Sequence, residues 1–354
     1  MINRIEDRNM NLKACIITNR HRWNEFVAES SYGNITQSYE WGELASYVGA
    51  KPLHLGVVDH QGKLCAAMEV PVSSLPMLRT HYLYVPRGPI IDDPSSPAMA
   101  YLLHFAKEQA HIHKAFMLKI EPGVEERNRC WSDALQRYGF RPSAHSMHLR
   151  NEWILDIRPG EDELLAKMKA GWRRNIHIAA RKGVVIRHGE GKVDVSTFYH
   201  LLRQTSERNN FFVHDQSYFD YFMQLFSKHG HAVLMLAEHK GEIVGGAIMM
   251  RFGHWAWYRF GASSAQHRDL RASHLLQWKG IQWAKSYGCH YYNFLGIPTN
   301  LAEKKDPLQG VYFFKQGFGG YARCAMEGHE LVYNPVIYEI YRRFRDWKHR
   351  RNRQ

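Results

Sequence analysis

Apolar and polar positions alternate along this chain in a pattern that occurs twice. From Leu55 to Val70 the sequence LGVVDHQGKLCAAMEV sets two apolar runs around Asp59-His60-Gln61-Gly62. From Leu234 to Met249, LMLAEHKGEIVGGAIM sets two around Glu238-His239-Lys240-Gly241. Both predict strand, turn, strand, with a short glycine-containing hairpin turn and small residues entering the second strand. HYLYVPRGP (81–89) and HWAWYRFGA (254–262) follow, each a strand of alternating aromatics that ends at a glycine. AYLLHFAKEQAHIHK (100–114) and ASHLLQWKGIQWAKSYG (272–288) predict helices, with Leu102-Leu103 matching Leu275-Leu276. AFMLKIEP (115–122) and HYYNFLGIP (290–298) read as buried strands, and YGF (138–140) and QGF (316–318) each precede another strand pair.

Hairpin, strand, helix, strand, repeated, predicts a duplicated α/β unit. A strand, a helix and a parallel strand require a right-handed crossover. Strands that splay at the end of such a sheet leave a cleft where ligands sit. Between the halves, KMKAGWRRNIHIAARKG (167–183) predicts a helix with Met168, Trp172, Ile176 and Ala179 on its core side and Gly183 as its stop. Tyr218, Phe219, Phe222, Leu225 and Phe226 have helical spacing and read as core.

The chain has 354 residues, 45% hydrophobic and 23% charged. That suits two globular domains and excludes general disorder. No run approaches the ~18 apolar residues of a membrane span, and the stretch from Met1 to Ile17 has no signal-peptide block. Five cysteines without a CxxC pair read as reduced core thiols. HIH (111–113) and HSMH (145–148) lack acidic or cysteine partners at ligand spacing and read as surface histidines, so no metal is expected. Charge is the unusual property: 47 basic against 34 acidic residues leave +13, which attracts nucleic acid, acidic lipid or a phosphorylated substrate. Seven basic residues and no acid lie between Lys167 and Arg187, with Arg173, Arg174 and Arg181 expected to share the solvent side. RRFRDWKHRRNRQ (342–354) adds seven against Asp346. With Trp172, Phe344 and Trp347 interleaved, both tracts suit a phosphate backbone with some stacking.

Strand, strand, strand, helix, strand is also the order of the GNAT acyltransferase fold, which each half resembles. In that fold a Q/R-x-x-G-x-G/A loop before the central helix cradles the pyrophosphate of coenzyme A on backbone N–H groups. The second half has Arg268-Asp-Leu-Arg271-Ala-Ser273 there, with Arg271 where glycine is needed, and the first half has Pro94-Ser-Ser-Pro97. Both halves read as acyltransferase folds without the coenzyme A cradle, and no cofactor is expected.

Finer motifs resemble one family. LYVPRGPI (83–90), KAGWRRNIHIAARKGV (169–184), SERNNFFVHDQSYF (206–219), GASSAQHRDLRASHLLQWKGIQWAKSYGCHYYNFLGIP (261–298) and GVYFFKQGFGGYARC (310–324) are similar to the FemABX family of tRNA-dependent peptidoglycan-bridge aminoacyltransferases. The resemblance implies an α/β fold with mixed sheets, built as two tandem GNAT-like acyltransferase domains without the coiled-coil arm of some members. Their expected bounds are 1–155, completed by 325–354 returning to it, and 156–324. It implies a cytoplasmic enzyme that moves an amino acid from aminoacyl-tRNA to an amino group of a peptidoglycan precursor. That precursor is a nucleotide- or lipid-linked peptide, the latter involving peripheral membrane contact without a transmembrane segment.

The same resemblance assigns residues. Lys315 in FFKQGF, read at the lip of a closing strand, matches the lysine that steadies the oxyanion. Arg208 in SERNN matches a diphosphate contact, and Arg87 in PRGP is a second candidate. Tyr258 and Phe260 fall where the family uses tyrosine near the acceptor, and Phe212 falls on another tyrosine position. Core packing is the expected role of Phe260 and Phe212. Trp41 in QSYEW joins the acceptor side, where Glu43 and Ser46 replace the lysine often found after this motif and point away from a standard nucleotide-peptide acceptor. Arg173, Arg174, Arg181, Lys182, Arg268 and Arg271 are the expected tRNA contacts. Three rivals remain: an acyl-CoA-dependent N-acyltransferase, a tRNA-dependent enzyme that aminoacylates a small metabolite or peptide, and a non-catalytic RNA- or envelope-precursor-binding protein.

Overall fold

A computed structural model describes residues 12–303 and 306–351. The end of the basic tail, 352–354, lies outside the described residues. The chain divides into two compact units, Met1–His148 with Ala325–Gln354, and Leu149–Cys324.

In the first unit β1 (Lys13–Ile16), α1 (Arg20–Glu29) and α2 (Tyr39–Tyr47) lead into the hairpin β2 (Lys51–Val58) and β3 (Leu64–Leu75). Then come β4 (Thr80–Pro86), α3 (Pro97–Ile112), β5 (Ala115–Glu121), α4 (Arg129–Arg137) and the short β6 (Arg141–Pro142). The second unit opens with β7 (Asn151–Asp156), α5 (Glu161–Lys167), α6 (Ala170–Arg181), β8 (Val185–His188), α7 (Gly191–Asn209) and α8 (Gln216–Lys228). The hairpin β9 (Ala232–His239) and β10 (Glu242–Phe252) follows, then β11 (Trp255–Ser263), α9 (Ala272–Ser286), β12 (Tyr291–Gly296), α10 (Gln309–Gln316) and β13 (Tyr321–Cys324). β14 (His329–Val332) and α11 (Pro335–Arg351) complete the first unit.

The predicted duplication appears as two seven-stranded sheets of matching order, β1-β2-β3-β4-β5-β14-β6 and β8-β9-β10-β11-β12-β7-β13. Each predicted hairpin forms. Lys240 and Gly241 take φ of 51° and 81° between β9 and β10, as a two-residue turn between twisted strands requires. α6 stops where expected, at Gly183 with φ 81°. The strand pair after each repeat, however, is shared out. β6 stays in the first sheet while β7 joins the second, and β13 stays in the second while β14 joins the first. A boundary at 155/156 would cut β7, so the unit division falls at 148/149.

β14 and α11 are tied to β5 by a buried polar network. Lys119 Nζ donates to Ser143 Oγ (3.0 Å), Ser143 Oγ to Glu330 Oε1 (2.6 Å) and Tyr338 OH to Glu330 Oε2 (2.6 Å). Arg345 NH1 donates to the same carboxylate at 2.9 Å. Groups taken out of water at this cost stay stable only because each finds a partner. His148, read as a surface histidine, is half-buried and bonds Glu121 Oε2 at 3.1 Å through Nδ1. The α8 aromatics are buried as expected, and all five cysteines are free.

Candidate active site

The two sheets differ where their central parallel strands end. β4 and β5 stay paired to the last residues, Pro86 opposite Glu121. β11 and β12 pair only from Trp255–Tyr291 to Trp257–Asn293 and then part, though β11 runs on to Ser263 and β12 to Gly296. The expected splay therefore exists in the second unit and is absent from the first. Local sequence explains the parting. Arg259 is a bulge residue, skipped where Tyr258 faces Met249 and Phe260 faces Ile248. On the other strand Asn293 Oδ1 accepts from the Leu295 N–H at 2.6 Å, and Leu295 takes φ 63°.

Lys315 sits beside this opening. It lies in the last turn of α10, not on a strand: GVYFFKQ forms a helix that ends at Gly317. Only 5% of the residue is exposed, and Nζ donates to the Gly296 carbonyl oxygen at 2.6 Å. Burial lowers its ammonium to about 7, while the negative charge of Glu152 acts to hold it up. Glu152 is buried on β7, opposite Gly296 in register, and accepts from Asn293 Nδ2 at 3.2 Å. Nothing in the local sequence signals Glu152; the β7–β12 register brings it to the lysine.

Trp172 fixes α10 from the far side. Its Nε1 donates to the Phe314 carbonyl at 2.9 Å, and its ring meets Phe313 edge-on at 5.3 Å. A Cβ on Gly317 would lie 2.1 Å from that ring. The stacking role expected of Trp172 toward nucleic acid is thus replaced by packing that positions Lys315. Gly317→Ala is expected to displace the indole and cost about 1–3 kcal/mol, as overpacking does; denaturant unfolding measures it, and an unchanged midpoint would contradict the fit.

A cavity of about 250 Å³ opens between α7, β11, α9 and α10, lined among others by Arg208, Tyr258, Gly261, Ser273 and Phe314. A second of about 460 Å³ shares Arg208, Ser273 and Phe314 and adds His267, Arg268, Arg271 and His274. Lys315 lines neither; its neighbour Phe314 lines both. Burial pushes the Tyr258 phenol up to about 12, so it stays protonated, and a Cβ on Gly261 would overlap its hydroxyl. Burial also lowers His274 to about 4, leaving a neutral imidazole beside the two arginines. Arg208 is exposed at the end of α7, with its guanidinium 3.4–3.5 Å from the Ser263 carbonyl.

The other expected residues divide. Arg173 is only partly exposed and already engaged: NH1 donates to the carbonyls of Leu165, Ala166 and Met168 at 3.1, 2.9 and 2.8 Å and closes the end of α5. Lys182 pairs with Asp269 at 2.7 Å, while Arg174 and Arg181 are exposed. Phe260 packs edge-on against Phe219 at 5.1 Å. Phe212 does not pack in a core; it is 81% exposed on the loop before α8. In the first unit Arg87 is buried with φ 52°, and Trp41 stands in the first turn of α2. QSYEW and PRGP meet there. Gln37 Nε2 donates to the Pro86 carbonyl at 2.7 Å, and its Oε1 accepts from the Glu69 N–H at 2.9 Å. Gln37 thus clamps the turn that presents Arg87, a pairing not legible in either motif alone.

Two sheets of this order, with a helix crossing from the central strand of each to its parallel neighbour, define a tandem GNAT-like protein. A crystal structure of FemX has the same fold, with a TM-score of 0.87 at 21% identity, covering 93% of this chain and 99% of that one. A tandem GNAT protein from the clavulanic acid biosynthesis pathway matches at TM-score 0.56 and 13% identity, over 92% and 99% of the two chains. The FemAB family model matches residues 18–242 and 237–345, and the chain belongs to that family. Curated relatives include the lipid II:glycine glycyltransferases of Staphylococcus aureus strains MRSA252 and USA300. Each is 24% identical over 400 residues, covering 92% of this chain and 94% of the relative.

Proposed function

We propose that this enzyme transfers an aminoacyl group from aminoacyl-tRNA to an amino group on a lipid-linked peptidoglycan precursor. Its relatives named as lipid II:glycine glycyltransferases support the acceptor class, and the arginine-lined cavity beside the splay supports an RNA-borne donor. The observation that carries the reading is the buried Lys315 amine at the parted strands, with Glu152 as its counter-charge.

The donor ester is already activated, so the chain needs no nucleophile of its own. The acceptor amine attacks the ester carbonyl carbon and forms the new C–N bond. The resulting tetrahedral oxyanion collapses, the C–O bond to the ribose breaks, and the ribose oxygen leaves with the proton the amine sheds. Lys315, as an ammonium, stabilises the oxyanion, a contribution of about 3 kcal/mol for one well-placed donor. Glu152 opposes the loss of that charge on burial. Arg208 binds acceptor diphosphate from the exposed end of α7, and Arg87 serves the same class of group from its turn. Tyr258, a protonated phenol, is a hydrogen-bond donor to the acceptor. Phe212 supplies exposed apolar surface to the acceptor.

Arg268 and Arg271 hold phosphates of the tRNA 3′ end, with Arg174 and Arg181 contributing outside the cavity. Replacing both Arg268 and Arg271 by alanine is expected to weaken tRNA binding and to make the log–log salt slope shallower by about two. A filter-binding titration at several ionic strengths reads this, and an unchanged slope would remove both residues from the interface.

The function is tested by incubating the protein with a charged total-tRNA pool and either lipid-linked or nucleotide-linked precursor, then weighing the products. A precursor heavier by one aminoacyl residue, formed only with charged tRNA, is expected on the lipid-linked acceptor. Acyl transfer from acetyl-CoA without tRNA would instead support the N-acyltransferase reading.

A further inference from the structure

Helix α11 is apolar on two sides. On one, Ile337, Tyr338 and Tyr341 pack with Phe116 and Met117 of β5. On another, Val336, Ile340, Phe344 and Trp347 follow at spacings of four, four and three, which places them along one line of a helix. These four residues are 72%, 50%, 36% and 54% exposed, and the Phe344 and Trp347 rings lie 6.0 Å apart. A helix docked on a sheet by one face ordinarily presents polar side chains elsewhere. Here a row of large apolar residues faces water instead.

The segment that carries the row is basic in sequence. Arg342 and Arg343 are exposed. Residues 335–354 hold seven Lys and Arg against Glu339 and Asp346, a net of 7 − 2 = +5. The three described arginines are already paired: Glu339 accepts from Arg342 NH2 at 2.7 Å and Arg343 Nε at 3.0 Å, and Arg345 donates to the buried Glu330, so the free excess is carried by Lys348, Arg350, Arg351 and Arg353 of the sequence. Nearby, Leu75 joins the cluster under the helix, and the turn that follows it carries the exposed Met77 and then Arg79.

An apolar line with cations beside it is the composition of a helix that lies in the plane of an acidic bilayer surface. Side chains enter the headgroup boundary, and basic residues meet lipid phosphates. A protein groove would account for the apolar line without using the +5. Single-stranded RNA would use the cations and two rings, but Val336 and Ile340 have no π-face to offer a base. We propose that the exposed face of α11 is a peripheral docking surface for anionic phospholipid membrane. This rests on the helix alone, so it stands or falls separately from the transfer reaction.

The test is co-sedimentation of the full chain with phosphatidylcholine vesicles, with and without about one-third phosphatidylglycerol, an acidic lipid. Binding at least about ten-fold stronger on the acidic vesicles is expected, falling with salt. Ile340→Glu with Phe344→Glu should lose at least about ten-fold of that binding while thermal unfolding is unchanged. Val336→Ser with Trp347→Ser serves as the milder pair should the glutamates disturb folding. Equal partition onto neutral and acidic vesicles, or binding unaffected by both pairs, would overturn the proposal. So would a dimer of the free protein that the substitutions split without altering vesicle binding, since the face would then belong to a second copy.

Discussion

Lys315→Ala is expected to lower turnover about 100-fold or more while tRNA affinity stays nearly the same. The reason is geometric. The amine is buried at the parted ends of β11 and β12, bonded to the Gly296 carbonyl, and outside both arginine-lined cavities. In the proposed reaction it acts on the ester and takes no part in the grip on the RNA. Single-turnover rates with pre-bound aminoacyl-tRNA separate the two effects. An alanine variant of full activity would remove Lys315 from the mechanism. Lys315→Met should, in addition, raise thermal stability near neutral pH. A lysine whose folded value is about 7 binds fewer protons in the native chain than in the unfolded one between about pH 7 and 10.4. Native stability therefore rises with pH through that window, and an apolar replacement escapes the cost below it.

The second large effect is expected from Glu152→Gln, read as a pH profile. Glu152 raises the affinity of Lys315 for its proton, so removing the charge lowers it further. Below the value for both forms, near about pH 5, Lys315 is mostly charged in either protein and rates should be close. At about pH 8 the variant holds less ammonium, and a loss of about ten-fold is expected, equivalent to about 1.4 kcal/mol. Glutamine keeps an acceptor for Asn293 Nδ2, so the β7–β12 register is preserved. The same fall at every pH would mean that Glu152 acts only on structure. A gain at pH 8 would mean that Lys315 works as a neutral base.

Much of the fold was legible because its signals are local. Lys240-Gly241 needs only its own backbone conformation to make a hairpin turn, and Gly183 only its own to end α6. The Leu102-Leu103 and Leu275-Leu276 pairs mark two helices that bury the same face. The site was legible in part. FFKQGF pointed to the lysine, yet an apolar run with a glycine suits a strand edge as well as a short helix. Only packing under Trp172 decides for the helix. Arg173 looked like a solvent-facing phosphate contact because helical spacing cannot show where the preceding helix ends; the α5 carbonyls lie within its reach.

The sequence alone determined that the chain is a duplicated α/β protein and which residues turn. Repetition, periodicity and turn propensity are properties of neighbouring residues. The tertiary structure decided which copy opens. β4 and β5 remain zipped to Pro86 and Glu121, while the Arg259 bulge and the Asn293–Leu295 turn part β11 from β12. It also decided that Glu152 faces Lys315 and that Gln37 holds the turn of Arg87. Strand register and side-chain burial are set by residues distant along the chain, so no local pattern encodes them.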